Sequence, residues 1–456
     1  MKSENPKKRK VIAIILIIVA IIAIAGFTIR NSYAENTGGT ARDRMDENTF
    51  VRMAATTTKL KSSANEIDTD GLRTEMESSV GTNVVTVEDK SSEIILVTFL
   101  KTGNQYEVNK ISGLGGGYNP EEVPIIPGGS EEELPSTDYT KPYLPTGFTR
   151  VTGTDLGNGL TIQDNLGNQY VWVEVPKTTT VYPTAGLSLD LNNLTGTALT
   201  DAYDAIETDL HTYTNTYRNG TSYTDTYYSD AQTGLTSTQY TELKQKMLKS
   251  VYQNGGFYVG KYETGIENSY RTAAGNVTET PVIKQNAYPY NYVTCSQAQK
   301  LAGDMQSGQY TSSLMFGVQW DLVLRYLESK GATQSELKSN STSWGNYNNN
   351  LWNIDNASSK YYTSSTSWTD GAYGEKTSNN SILLSTGASD TFSKQGIYDL
   401  AGNVFEWTLE YTSSTSSPCA VRGGSYHDNG YGPASYRYYY STASCYNDVG
   451  FRVTLY

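Results

Sequence analysis

Gly396-Ile397-Tyr398-Asp399-Leu400-Ala401-Gly402-Asn403-Val404-Phe405-Glu406-Trp407 is the stretch on which the reading of this chain turns. Two shorter blocks follow it, Arg422-Gly423-Gly424-Ser425-Tyr426 and Gly450-Phe451-Arg452-Val453. Phe405 and Trp407 read as core residues. Arg422 and Arg452 read as structural cations that pair with buried carbonyls or acids. Val421–Ser425 and Phe451–Leu455 alternate poorly between apolar and polar, as strands buried on both faces do. The segment Tyr426 to Asp448 between them must then loop outward.

Working outward, the domain that ends in these blocks begins near Thr146. Tyr170–Val175 and Phe257–Tyr262 read as strands. Thr236–Gln253, Cys295–Met305 and Met315–Lys330 read as helices, the last with Leu322, Tyr326 and Leu327 on one face. Between them run polar stretches such as Thr212–Asp230 and Ser339–Ser381, whose composition alone suggests disorder. Their Trp344, Trp352, Trp368, Tyr361, Tyr362 and Tyr373 predict packed, loop-rich structure instead.

The three blocks, with Gly256-Phe257-Tyr258-Val259-Gly260-Lys261-Tyr262-Glu263 and Tyr170-Val171-Trp172-Val173-Glu174-Val175 ahead of them, resemble the formylglycine-generating (sulfatase-modifying) enzyme family from Thr146 to Tyr456. The resemblance implies an α+β, loop-rich variant of the C-type lectin fold. Enzymes of that family bind copper through two cysteines five positions apart, after the Gly-Gly-Ser-Tyr block. Those positions here are Asp428 and Pro433, and neither offers a soft thiolate. An iron-dependent branch needs three histidines, and the chain has only His211 and His427. The resemblance therefore implies a catalytically silent domain with no copper. The rival reading, a formylglycine-generating-type oxidoreductase, must recruit Cys419, Cys445 or His427. The family's Asp/Asn-x-x-Gly-x-Val/Ala-x-Glu segment holds calcium. Carried over, the ligands are the Asp399 and Glu406 carboxylates and the Gly402 and Val404 carbonyls, hard oxygens suited to that ion. Without metal, the same two acids would accept hydrogen bonds from turn amides.

The carboxy-terminal segment has an unusual composition. Lys, Glu, Gln, Met and Trp, 75 residues in all, lie entirely within residues 1–410, and none occurs from Tyr411 to Tyr456. Those five types cannot arise when both adenines of an AAC or AAT codon are randomised. Diversity-generating retroelements do this to the ends of lectin-like proteins. A domain that favours Tyr, Ser and Asn throughout would lose some of these types by drift alone. Tyr-rich loops also make effective paratopes, because Tyr supplies large rigid contact area at low entropic cost. The expected ligand-binding residues are Tyr426, His427, Asp428, Asn429, Tyr431, Tyr438, Tyr439, Tyr440, Tyr446, Asn447 and Asp448. The expected partner is an extracellular protein or glycan, with protein favoured.

At the other end, Lys7-Lys8-Arg9-Lys10 precedes an apolar run from Val11 to Phe27. A run of that length sits at the lower limit for a membrane span, and its basic flank predicts a cytoplasmic start with the remainder outside. The expectation is a single-pass anchor over 1–29. The alternative is secretion after cleavage near Ala34. Thr40 to Ala64 could continue the helix outward. Thr82–Val87, Glu93–Lys101 and Gln105–Asn109 read as three antiparallel strands. Residues 30–111 thus form an extended helix plus a small β module that resembles pilin-like subunits, without the prepilin cleavage residues. A pilus or appendage subunit is the functional alternative this raises. Ser112 to Pro145, rich in Gly, Pro and Glu, reads as an acidic linker. The net charge of −12 excludes a global basic footprint for nucleic acid. An oxidising exterior predicts a Cys419–Cys445 disulfide, with Cys295 free and buried.

Overall fold

The computed structural model of the protein describes residues 51, 54–55, 58, 67–80, 84–90, 94–100, 105–110, 134–218, 223–305, 310–363 and 367–456. The chain divides into two compact units, Met1–Gly129 and Ser130–Tyr456. No helix among the described residues is long and apolar enough to cross a membrane. The apolar run from Val11 to Phe27 lies outside them.

The first unit holds helix α1 (Thr69–Val80) and strands β1 (Val85–Asp89), β2 (Ile94–Phe99) and β3 (Gln105–Asn109). The strands pair antiparallel in the order β1–β2–β3, so the three expected strands are present, β1 later in the chain than expected. Period-two alternation puts Ile95, Val97 and Phe99 of β2 on one face. They pack with Val85, Val87 and Val108, and Leu72 and Met76 of α1 belong to the same core.

The second unit carries, in chain order, β4 (Thr149–Arg150), β5 (Thr161–Gln163), β6 (Gln169–Glu174), helix α2 (Gly196–Tyr213), β7 (Tyr223–Thr224), α3 (Ser237–Asn254), β8 (Gly256–Gly260), α4 (Cys295–Asp304), β9 (Ser312–Leu314), α5 (Gly317–Ser329), β10 (Phe405–Thr412), β11 (Cys419–Arg422), β12 (Arg437–Tyr440), β13 (Val449–Phe451) and β14 (Val453–Leu455). One sheet runs β9–β14–β8–β6–β5–β4, with every neighbouring pair antiparallel. The other runs β12–β11–β10–β13, with β7 pairing the far end of β10. β10 and β13 are parallel.

Local signals explain the helix limits. α3 opens with a capping box, in which the Thr236 hydroxyl accepts from the Gln239 amide and the Gln239 side chain accepts from the Thr236 amide. It closes at Gly255, whose φ of +69° favours glycine and whose Cβ position lies 2.2 Å from the Tyr139 carbonyl oxygen. α4 opens with the same box from Thr294 and Gln297. The buried Asp225 carboxylate caps α5, accepting from the Gly317 and Val318 amides at 2.5 and 2.9 Å. One core joins these two sheets and the helices α2, α3, α4 and α5.

Two expectations are corrected here. Residues 134–145 are not linker but part of the second unit. Thr140 is buried and accepts from the Trp172 indole at 2.8 Å, and its own hydroxyl donates to the Gly255 carbonyl. Leu134, Tyr143 and Leu144 pack against the core. Likewise, Tyr426 to Asp448 is not simply a loop, because β12 lies within it and pairs antiparallel with β11. The Tyr- and Trp-rich stretch that composition alone reads as disordered instead forms short hairpins. Trp352, Ile354, Ile382, Leu384, Ala388 and Phe392 give them a core of their own.

Candidate functional site

β12 is an edge strand with two unlike faces. In register, Arg422 faces Arg437, Val421 faces Tyr438 and Cys419 faces Tyr440. The Arg437 side chain turns inward. Its Nε lies 3.0 and 3.1 Å from the two Glu410 carboxylate oxygens, one Nη donates to Asp321 at 2.6 Å, and the other donates to the Tyr217 carbonyl at 2.5 Å. Arg422 donates to the other Asp321 oxygen at 2.8 Å. Burial works against charge on both arginines. Asp321 and Glu410 outweigh it at Arg437 and raise its pKa, whereas burial and the neighbouring Arg437 leave Arg422 lowered. Two buried arginines thus close on two buried carboxylates, and the strand is fixed from behind.

The outer side of the segment carries the tyrosines. Tyr438 is 39% exposed, Tyr439 and Tyr446 each 45%, and Tyr431 71%. Tyr438 stacks on Tyr439 with ring centroids 5.2 Å apart, meets Tyr440 edge-on at 5.2 Å, and Tyr440 meets Tyr446 at 5.0 Å. Phe405 and Trp407 of β10 support this row. Phe405 lies 6.2 Å from Tyr438, and Trp407 6.0 Å from the half-buried Tyr440. His427 and Asn429 are exposed, while Asp428, Asn447 and Asp448 are half-buried. The Asp428 carboxylate folds back to accept from the Ser425 amide and hydroxyl, both at 2.9 Å. The same hydroxyl lies 3.4 Å from an Asp448 oxygen, and burial raises the Asp448 pKa.

Tyr426 departs from expectation. It is 2% exposed, packs with Leu383 and Val404, and accepts from the Asn447 amide at 2.8 Å. It is a core residue within the turn that the Asp428 amide closes on the Ser425 carbonyl. The face therefore comprises His427, Asn429, Tyr431, Tyr438, Tyr439 and Tyr446 at its surface, with Tyr440 as a partly covered support.

Of the four implied calcium ligands, Glu406 pairs with Arg452 and Asp399 feels its charge. Asp399, at φ +57°, accepts from the Gly387 amide at 2.6 Å. Both Glu406 oxygens face the Arg452 guanidinium, with its Nε at 3.1 and 3.0 Å and one Nη at 2.6 Å. Gly402, at φ +76°, closes the turn, and its Cβ position lies 2.3 Å from the Asn346 carbonyl oxygen. Sequence reasoning missed a third acid, Glu263, which accepts from the Asn403 side chain at 2.6 Å and the Val404 amide at 3.1 Å. Arg452 pairs with Glu406 alone, and its charge also acts on the buried Asp399 and Glu263. Burial raises the pKa of all three, that of Asp399 to about 7. This excess of negative charge fits a hard cation, although Glu406 is already engaged by Arg452.

A second acid group, Glu207, His211 and Asp225, also brings ligand-type atoms together. Cations already serve it, since Lys244 lies 2.7 Å from Glu207 and Arg218 3.7 Å from Asp225. Burial opposes ionisation of Asp225, but the His211 hydrogen bond and the Arg218 charge hold its pKa well below the carboxylate range.

The cysteines correct another expectation. All three are free. Cys419 and Cys295 are both fully buried. Cys445 lies beyond β12, half-exposed, with its thiol directed at the Ala443 carbonyl at 3.7 Å.

With this geometry in place, the comparisons are decisive for one half of the chain. Residues 234–455 match the family model of the sulfatase-modifying factor enzyme 1-like domain. The match starts after α2 and β7, so residues 146–233 lie outside it. Among solved structures, the crystal structure of CarF is similar at 14% identity and a TM-score of 0.27, over 44% of this chain and 85% of that one. Treponema denticola variable protein 1 is similar at 15% identity and a TM-score of 0.25, over 44% and 84%. No curated protein matches. Nothing in these comparisons supports a pilin-like amino-terminal unit.

Proposed function

We propose that the protein is a non-catalytic binding protein of the cell surface. An amino-terminal anchor would hold it in the membrane, and its sulfatase-modifying-factor-like head would present the tyrosine face outward to a protein ligand. The observation that carries this reading is the row Tyr438, Tyr439 and Tyr446, exposed on and just beyond a strand that buried ion pairs fix from behind. Exposed contiguous aromatics over a rigid support are the usual form of a protein-binding hot spot. The family's copper positions fall on Asp428, which caps its own turn, and on Pro433, so the chemistry of the family's enzymes has no thiolate there.

The loss of five residue types after Glu410 supports genetic diversification of this face. A template repeat and a reverse-transcriptase gene beside the coding sequence would be its direct mark. A calcium ion, if bound, would be held by Asp399 with the Gly402 and Val404 carbonyls, and would share Glu406 with Arg452. It would supply charge neutralisation at the turn behind the face. The test of function is binding of the full chain to protein and glycan arrays, with a Tyr438→Ser/Tyr439→Ser variant beside it. Protein ligands retained by the wild type and lost by the variant are expected. Conversion of a cysteine-containing sulfatase peptide to formylglycine by copper-loaded protein, above a no-enzyme control, would overturn the reading.

A further inference from the structure

A cavity of about 470 Å³ opens on the head, and none of its lining residues belongs to the tyrosine row. Two short antiparallel strand pairs contribute to it. One pairs Gly265–Ile266 with Tyr288–Pro289, and the other pairs Lys360–Tyr362 with Thr369–Asp370. Lys360 and Asp370 are register partners, so the second pair sets a cation opposite an anion. The turn beside them is closed on itself. The Gly371 amide donates to the Ser359 carbonyl at 2.8 Å, and the buried Ser359 hydroxyl donates to the Asn356 carbonyl at 2.7 Å. Tyr288 supplies the aromatic wall. Its hydroxyl donates to the Asp370 carboxylate at 3.3 Å, the Trp368 ring meets it edge-on at 5.1 Å, and the Tyr270 ring lies 5.3 Å away. These contacts fix a half-buried ring in place.

We infer that this cavity binds a neutral monosaccharide unit, whose hydroxyls donate to Glu267 and Asp370 and whose C–H face covers Tyr288. The lining selects that chemistry by charge and by hydrogen-bond type. Glu267 and Asp370 both line the cavity and disfavour an anion. A cationic ligand gains little, because Lys360 already stands over the Tyr288 ring at 5.0 Å and donates to the Asn286 carbonyl. Lys284 pairs with Glu267 at 3.3 Å, so two lysines balance the two acids. An apolar ligand would strip water from Glu267, Asn268, Lys360 and Asp370 with no hydrogen bond to offset the loss. A neutral ligand with many hydroxyls and one apolar patch meets every condition. A pyranose hydroxyl donates to a carboxylate and accepts from the Asn268 amide or the Lys360 ammonium, while the ring's C–H face suits a tyrosine. The cavity lies within the range of small-ligand sites, about 300–1,000 Å³. The inference does not rest on binding at the tyrosine row.

The full chain in deuterated detergent is titrated with glucose, galactose, mannose, N-acetylglucosamine and N-acetylgalactosamine, each as the free sugar and as its methyl glycoside. Saturation-transfer NMR reads the contact. The free sugars stand for a soluble ligand and the glycosides for the end of a glycan. At least one should show transfer, strongest at its ring C–H protons. Glu267→Gln/Asp370→Asn should weaken that binding about tenfold or more, because each change removes a charged acceptor. The melting curve of this variant should stay that of the wild type, since both side chains are exposed. Tyr438→Ser/Tyr439→Ser should bind the sugar as the wild type does. Four results overturn the inference: no transfer from any sugar, stronger transfer from glucuronate or glucosamine than from glucose, unweakened binding by the acid variant, or loss of binding in the tyrosine variant. Failure of protein binding in the array experiment above leaves this result untouched, because the sugar titration reads the cavity and not the face.

Discussion

Arg437 and Glu410 lie face to face beneath the tyrosine-bearing strand, with the guanidinium Nε 3.0 Å from the carboxylate and side-chain exposures of 4% and 0%. Arg437 stands between Tyr436 and Tyr438, so neighbouring positions of one strand have opposite tolerances. Removing one member of a buried pair strands the other charge, at a cost of about 3–5 kcal/mol. Arg437→Met or Glu410→Gln should lower the unfolding free energy, read from denaturant melts, by that amount. Tyr439→Ser, at an exposed position, should shift it by no more than about 0.5 kcal/mol. Equal effects at both positions would mean that the inner face does not anchor the strand.

Lys376 supplies a pH signature. Its ammonium is buried, donates to the Tyr347 carbonyl at 2.6 Å and lies 5.3 Å from the centre of the Trp352 ring. Burial pulls its pKa from 10.5 down to about 8. Between those values the unfolded chain binds a proton that the folded chain does not. Stability from this group therefore rises with pH across that window and is flat below it. Denaturant midpoints measured from pH 7 to 10 should show this rise in the wild type relative to Lys376→Met. Parallel curves would place the amine in water.

The acid excess around Arg452 makes calcium testable. A cation bound there at a hundredfold excess over its Kd should add about 2.7 kcal/mol, and chelator should lower the melting temperature of the wild type. Asp399→Asn is the informative variant, because the amide oxygen can still accept from the Gly387 amide that Asp399 now bonds. Glu406→Ala is not, because it would strand Arg452 and unfold the head for another reason. An unchanged wild-type melting curve in chelator would mean that protonation and Arg452 alone balance the three acids.

What was legible in the sequence was what local chemistry determines. Thr236 with Gln239 and Thr294 with Gln297 announce two helices through their capping boxes, and both start where expected to within a residue. Trp407 and Phe405 are buried as read, and Arg422 and Arg452 do pair with buried acids. Helix α2 was missed because Gly196–Tyr213 is rich in Thr and Asp, which favour turns and caps over helix interiors. β12 was missed because Arg-Tyr-Tyr-Tyr has no period-two contrast. Its inward residue is an arginine whose partners, Asp321 and Glu410, come from distant elements. The same limit hid Glu263 from the turn it serves. Each relationship is created by sheet register, and the segment's own composition does not contain it.

The proposed binding face divides its tyrosines into two kinds, and substitution should separate them. Tyr438 and Tyr439 are 39% and 45% exposed and stack on each other, and Tyr438 also lies over Phe405 at 6.2 Å. Replacing both with Ser removes an exposed aromatic pair and leaves the Arg437 anchor behind it intact. The melting temperature should change by no more than a degree or two, while affinity for the protein ligand should fall at least tenfold, as loss of a hot-spot pair does. Tyr440 is half-buried. It meets Trp407 at 6.0 Å and Phe405 at 6.4 Å and adjoins Tyr446. Tyr440→Ser therefore removes packing from the end of the core as well as contact area, and should cost about 2–4 kcal/mol of stability, in the range for truncating a large, partly buried aromatic. Thermal melts beside surface-plasmon-resonance titrations of the same preparations read both quantities. If Tyr438→Ser/Tyr439→Ser unfolds the head, those rings are core and the face is not a binding surface. If it binds as the wild type does, the ligand sits elsewhere on the domain.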